Sequence, residues 1–364
     1  MKTEAYALIR DSLRGVAEIW QTENGLAFDR LPSWTVPHHS HDPLTNQVSR
    51  QGSGVRLDLV TSASNVTLAY RSLRDNPNRP SVVTIATDTC EQTIAHSDGD
   101  LRLWADSSTF DFVPGENSIA SFYLPTSDTE RSVSVWLPHN CAIEIIDITA
   151  DAPLKAAPKR ARTWVHYGSS ISHCVEAENP LGVWSSRIAQ DLGLNLVNLG
   201  LAGSANIEYF AAKTIASIPA DLISLKLGIN VVAGATMTKR TFVAAVQAML
   251  DIIRDSQPTT QIALISPIYC PGLETQPGPL TTNDLGQVLG SEFNKVEWLG
   301  ELTLVSVREI LKGIVESRQD ENLLYVSGLD LFSERDVNLM PDHLHPNAEG
   351  YLLMAERAKR LLFS

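Results

Sequence analysis

Near residue 151 the hydrophobic pattern changes its period, and this switch limits the possible folds more than any other feature of the chain. From about residue 54 to 149, apolar and polar residues alternate in runs rich in β-branched side chains: VRLDLV (55–60), NVTLAYRSL (65–73), SVVTIATD (81–88), SIASFYLP (118–125), SVSVWLP (132–138) and AIEIIDITA (142–150). A period of two puts one side-chain set on each face of a strand. Turn-forming stretches such as Arg74-Asp75-Asn76-Pro77-Asn78 and Ser97-Asp98-Gly99-Asp100 separate the runs. Short, regularly spaced strands with such turns predict a β-sandwich, to which the first 50 residues are expected to add a helix and a strand or two.

Beyond residue 162, continuous apolar runs alternate with helical periodicity. The runs are TWVHYG (163–168), LNLVNLG (194–200), DLISLKLG (221–228), QIALISPIY (261–269) and NLLYVSG (322–328). Phe242, Val246, Met249 and Ile253 recur at near-helical spacing between the third and fourth, and Leu304, Val307, Leu311 and Ile314 do so before the fifth. This alternation predicts an α/β, doubly wound, mainly parallel sheet, with its functional residues beyond the strand C-termini. Residues 151–162, DAPLKAAPKRAR, carry two prolines and four basic side chains and read as a connection. The expected division is therefore a β-domain over 1–152, a linker over 153–162 and an α/β domain over 163–364, in keeping with a length of 364 residues.

Composition narrows the function. Twenty-nine Lys and Arg stand against 42 Asp and Glu, a net charge of −13, which works against nucleic acid or an anionic membrane as partner. No run approaches the 18 or so apolar residues that span a bilayer, and Glu4, Arg10 and Asp11 interrupt the start before a signal-peptide core forms, so a cytoplasmic protein is expected. Cys90, Cys141, Cys174 and Cys270 are widely spaced, which predicts reduced, mostly buried thiols. The cluster Pro37-His38-His39-Ser40-His41-Asp42 has no second ligand group at recognisable spacing and reads as a polar loop; no metal or other cofactor is expected.

Four strand ends carry short polar or glycine-containing turns: Gly168-Ser169-Ser170-Ile171, Gly200-Leu201-Ala202-Gly203, Gly228-Ile229-Asn230 and Asp342-His343-Leu344-His345-Pro346. They complement one another chemically. A serine nucleophile needs a base within hydrogen-bond reach and a third group to orient that base. Asp342 and His345, three residues apart, supply both. The helix expected over roughly 347–362 anchors them. Acyl transfer also needs donors aimed at a tetrahedral oxyanion. Gly203 offers a backbone N–H that a ligand can approach closely, Asn230 a neutral amide, and Ser170 its own N–H.

These four blocks, in this order, resemble those of the SGNH, or GDSL, hydrolase superfamily, over about residues 162–364. The resemblance implies Ser170 as nucleophile, Gly203 and Asn230 completing the oxyanion hole, and Asp342 with His345 as the rest of a triad. It also implies a flavodoxin-like sheet. The YGSSIS wording occurs in a subgroup that carries an N-terminal, jelly-roll-like β-sandwich. Ser169 replaces the Asp of the GDS signature. Ser169 and Ser172 are the rival nucleophiles, but register with the signature favours Ser170, and both are expected to hold the turn. His343 is offset by one residue from the pair and is expected to contact substrate or solvent.

The expected function is a serine acyl enzyme working on an ester or thioester through an acyl-Ser170 intermediate, foremost an O-acyl esterase. The alternative is transfer of an acyl group from a coenzyme A or carrier-protein thioester to a hydroxyl of a small molecule. A non-catalytic carbohydrate- or partner-binding protein is the contrasting class, against which the intact Ser, Gly, Asn, Asp and His set counts. Lys155, Lys159, Arg160 and Arg162 read as a solvated linker, or else as an anchor for coenzyme A phosphates or an acidic carrier protein. The irregular stretch 270–300, with Trp298, reads as a loop that either is inert or walls the acyl pocket.

Overall fold

A computed structural model of the chain describes residues 2–105, 109–293 and 300–363. The chain divides into two compact units: Met1–Ala161 with Glu178–Ser186 and Asn195–Asn198, and Arg162–Ala177 with Arg187–Leu194 and Leu199–Ser364.

After a helix at Lys2–Ser12, the strands of the first unit are β1 (Leu13–Arg14), β2 (Glu18–Gln21), β3 (Leu26–Asp29), β4 (Arg56–Thr61), β5 (Asn65–Arg74), β6 (Ser81–Ala86), β7 (Glu91–His96), β8 (Asp100–Trp104), β9 (Phe110–Val113), β10 (Ser118–Tyr123), β11 (Arg131–Trp136), β12 (Ala142–Ala150) and β13 (Lys155–Ala156). They form two sheets. One has the order β1-β4-β11-β6-β7 with β13 on β4, the other β2-β3-β12-β5-β8-β9 with β10 on β5. Pairing is antiparallel except between β5 and β8. Burial alternates residue by residue along β5, as a strand with one face in a core requires. Leu57, Leu59, Ile85, Val133 and Val135 of the first sheet join Leu68, Tyr70, Phe122 and Ile145 of the second in one buried cluster.

Two expectations for this unit are corrected. The segment taken as a linker contains β13, whose register pairs Lys155 with Val60 and Ala156 with Leu59. Two of its basic side chains are also held by acids: Lys155 reaches Glu130 at 2.6 Å, and Arg160 donates to Asp58 at 3.2 Å and to Ser134 at 2.7 Å. Of the polar loop expected at 37–42, residues 37–39 belong instead to a short helix, Val36–His39, and the turn at 40–42 leads into a second, Pro43–Ser49. Asp42 caps the second, accepting from the N–H groups of Leu44 and Thr45, and buried His39 lies 3.1 Å from the Thr35 hydroxyl.

The remaining strands are β14 (Thr163–Gly168), β15 (Asn195–Gly200), β16 (Leu222–Lys226), β17 (Gln261–Ile265), a small hairpin of β18 (Thr281–Thr282) and β19 (Val288–Leu289), and β20 (Leu323–Val326). The larger sheet has the order β15-β14-β16-β17-β20, that of the flavodoxin-like doubly wound fold. The β14–β16, β16–β17 and β17–β20 pairs are parallel. The helices Lys239–Ser256 and Leu304–Arg318 bury the residues their spacing predicts: Phe242, Val246, Met249 and Ile253 in one, Leu304, Val307, Leu311 and Ile314 in the other. Among the described residues, no helix is long and apolar enough to cross a membrane. Cys141, Cys174 and Cys270 are buried thiols outside any disulfide, as is half-buried Cys90.

Candidate active site

At the end of β14 the chain turns sharply into a one-turn helix, Ser170–His173. The turn needs glycine at 168, because a Cβ there would sit 2.2 Å from the Ser172 hydroxyl. Ser169 precedes the helix in an extended conformation, and its carbonyl accepts from the N–H groups of Ser172 and His173. Ser169 and Ser172 are buried, whereas Ser170 is only half-buried. Ser170 faces an imidazole. Its Oγ lies 2.8 Å from His345 Nε2, and His345 Nδ1 lies 2.7 Å from Asp342 Oδ2.

Asp342 is held from its other side as well. Its Oδ1 accepts from the backbone N–H of Leu344 at 2.9 Å and of His345 at 2.7 Å. Burial pushes this carboxyl up, but the hydrogen bonds from the His345 ring and the two backbone donors outweigh it and hold Asp342 at about 2. Asp342 is therefore an anion at neutral pH. The helix Ala348–Phe363 follows directly, and buried Tyr351, Met354, Ala355 and Ala358 fix it to the unit.

The two other blocks stand at the neighbouring strand ends. Gly203, exposed, has φ of +73°, a conformation that glycine adopts without strain, in the turn after β15. Asn230 lies in the short helix Ile229–Ala233 after β16, and its Oδ1 accepts from the Ala205 N–H at 3.1 Å. This bond fixes which way the amide points, leaving Nδ2 as its remaining donor.

Several residues that pattern reading did not single out hold these groups in place. Tyr167 donates to Glu208 Oε2 at 2.5 Å and accepts from the Ile207 N–H at 3.1 Å, and Glu208 Oε1 accepts from the Asn206 N–H. Together they hold the 203–208 turn, in which Ile207 has φ of +63°, strained for a β-branched residue. The described part of the 270–300 stretch is tied to the Asp342 turn. Its β19 donates from the Val288 N–H to the Asp342 carbonyl at 2.9 Å, Gln287 meets His343 Nε2 at 3.1 Å, and the Cys270 thiol donates to the His343 carbonyl. His343, at φ +62°, is thereby part of the support for the Asp342 turn. Trp298 lies outside the described residues. No sequence signal marks Glu208 or Gln287, whose partners are 41 and 56 residues away.

A family model described as the GDSL-like lipase/acylhydrolase family matches residues 166–353, more than half of the chain and all five residues of the site. The chain belongs to that family. It is accordingly an enzyme of the GDSL, or SGNH, acylhydrolase type. No curated protein matches its sequence. Among solved structures it is similar to the salicylyl-acyltransferase SsfX3 from a tetracycline biosynthetic pathway, with 24% identity, 96% of this chain and 93% of that one covered, and a TM-score of 0.78. A GDSL-like lipase from Bacteroides ovatus follows at 18% identity, covering 96% and 94%, with a TM-score of 0.67. A family two carbohydrate esterase from Clostridium thermocellum, in complex with cellohexaose, has 13% identity, 96% and 97% covered, and a TM-score of 0.60. At these identities the likeness is one of fold, and it extends through both units.

Proposed function

We propose that Ser170 is the nucleophile of an O-acyl ester hydrolase, with His345 as general base and Asp342 as its orienting anion. His345 Nε2 takes the Ser170 proton as Oγ attacks the ester carbonyl, and the negative charge passes to the carbonyl oxygen. The N–H groups of Ser170 and Gly203 and the Asn230 amide would receive that charge. His345 then protonates the leaving alcohol, the acyl-enzyme forms, and water activated by the same imidazole releases the acid. The observation that carries this reading is the unbroken chain from Ser170 Oγ through His345 to an ionised Asp342, at 2.8 and 2.7 Å. We assign this chemistry to a catalytic domain over 163–364, preceded by a β-domain over 1–152.

Transfer is the second reading, favoured by the whole-chain likeness to an acyltransferase. Both reactions share every step up to the second attack. In transfer, a bound hydroxyl replaces water, with a coenzyme A or carrier-protein thioester as donor; a cytoplasmic setting and a place in secondary metabolism belong to this reading. Intact-mass spectrometry after incubation with p-nitrophenyl esters or acyl-coenzyme A tests both. An adduct of acyl mass on wild type and none on Ser170→Ala is expected, and an adduct that persists in Ser170→Ala overturns the assignment. Partition of the adduct between water and polyhydroxylated acceptors then separates hydrolysis from transfer.

A further inference from the structure

The second sheet of the first unit has one face in the core and the other open. Along β5, Leu68 and Tyr70 point into the core, and Arg71 and Leu73 alternate with them. Over this outer face lies a concavity of about 670 Å³. Its rims come from the two ends of the strand order, Trp20 on β2 at one side and Trp104 on β8 with Phe110 on β9 at the other. Trp20 is 37% and Phe110 44% exposed, and the Trp104 and Phe110 rings stand 4.9 Å apart.

Each arginine lining the cavity is paired with a carboxylate. Arg71 grips Asp100 with two bonds of 2.6 and 2.8 Å, Arg102 pairs with Asp75 at 2.7 Å, and Arg50 lies 3.5 Å from Asp29. Glu144 Oε2 accepts from the Asn24 amide at 2.7 Å. Arg50 and Arg102 also stack over Trp20 and Trp104, at 5.7 and 5.5 Å from the ring centroids, which holds both indoles in place. An anionic ligand here would face Asp100 and Glu144, and a cationic one the guanidinium groups. A neutral ligand dense in hydroxyls suits the site better. Its C–H faces lie on indole, while its hydroxyls meet fixed carboxylate acceptors and guanidinium and amide donors. The volume is within the range of small-ligand sites.

We propose that this concavity is a binding site for a neutral saccharide, separate in function from the acyl chemistry and independent of it. Isothermal titration calorimetry of the whole chain with neutral hexasaccharides of glucose, xylose, mannose and galactose, and with a galacturonate hexasaccharide as the charged probe, tests it. Binding of at least one neutral probe is expected, weakened about tenfold or more in Trp20→Ala and in Asn24→Ala, and partly restored in Trp20→Phe. Turnover of p-nitrophenyl acetate and the thermal midpoint should stay near wild type in Trp20→Ala, showing that the variant is folded. No binding of any neutral probe, equal binding by Trp20→Ala, or preference for the charged probe would overturn the proposal.

Discussion

In the first unit, buried Arg56 directs its guanidinium at both oxygens of Asp58, each 3.1 Å away, and Asp58 also accepts from Ser134 at 2.8 Å and from Arg160. In the second unit, Lys226 is equally buried at the end of β16, but its Nζ has no hydrogen-bond partner among the described residues. Burial pushes Arg56 down to about 10, and Asp58 resists that fall. Burial pushes Lys226 down to about 8, with Cys174 resisting and Arg308 adding to it. Burial, with Lys226 adding to it, holds neighbouring His166 at about 3, so that imidazole is neutral. Arg56 thus closes into a network with Asp58, Ser134 and Arg160. The Lys226 ammonium stays open beside Gly168, at the strand ends where Ser170, Gly203 and Asn230 stand, and such a cost near a site fits the usual exchange of stability for function.

The most severe way to break the second region is Ser170→Ala or His345→Ala. Each is expected to lower turnover of an activated ester by about 10⁶-fold, roughly 8 kcal/mol, with the fold intact by circular dichroism. Asp342→Ala should cost less, about 10⁴-fold, because the imidazole loses its orienting anion and keeps its reach to Ser170. Asp58→Asn attacks the closed network instead, leaving Arg56 and Arg160 uncompensated. It should lower unfolding stability by about 3–5 kcal/mol in a denaturant titration, and a loss below about 1 kcal/mol would mean the network is not what holds that interior. Asn230→Ala should lower kcat by about 10²–10³-fold, and an effect confined to KM would make Asn230 a binding residue.

Lys226→Met sharpens the contrast with the opposite sign. A lysine lowered to about 8 in the native state, from 10.5 when unfolded, destabilises the protein wherever it is charged in both states. The variant should therefore gain up to about 3 kcal/mol below pH 8. That gain should shrink as pH rises towards 10.5, where both states are neutral. Denaturation of both proteins across this interval measures it, and a pH-independent difference would point to packing.

Much of this was readable along the chain. Period two marks β5 and β12 almost to the residue, since each has one face in a core, and continuous apolar runs mark β14 and β17, which are buried on both faces. The Asp342 and His345 pair is legible because its spacing of three is a local property of the chain. By contrast, β7 (EQTIAH) and β9 (FDFV) escape the pattern: one is half exposed and the other fully so, and each is a strand because a neighbour offers a ladder of hydrogen bonds. The same holds for Glu208 on Tyr167, Gln287 on His343 and the pairing of Arg71 with Asp100 in the cavity that Trp20 and Trp104 line. Composition and spacing thus determined the order of strands, helices and the acyl-transfer blocks, because those depend on neighbours a few residues away. Which polar groups are closed and which stay open was decided only when distant segments met, because desolvation and hydrogen bonding act through space.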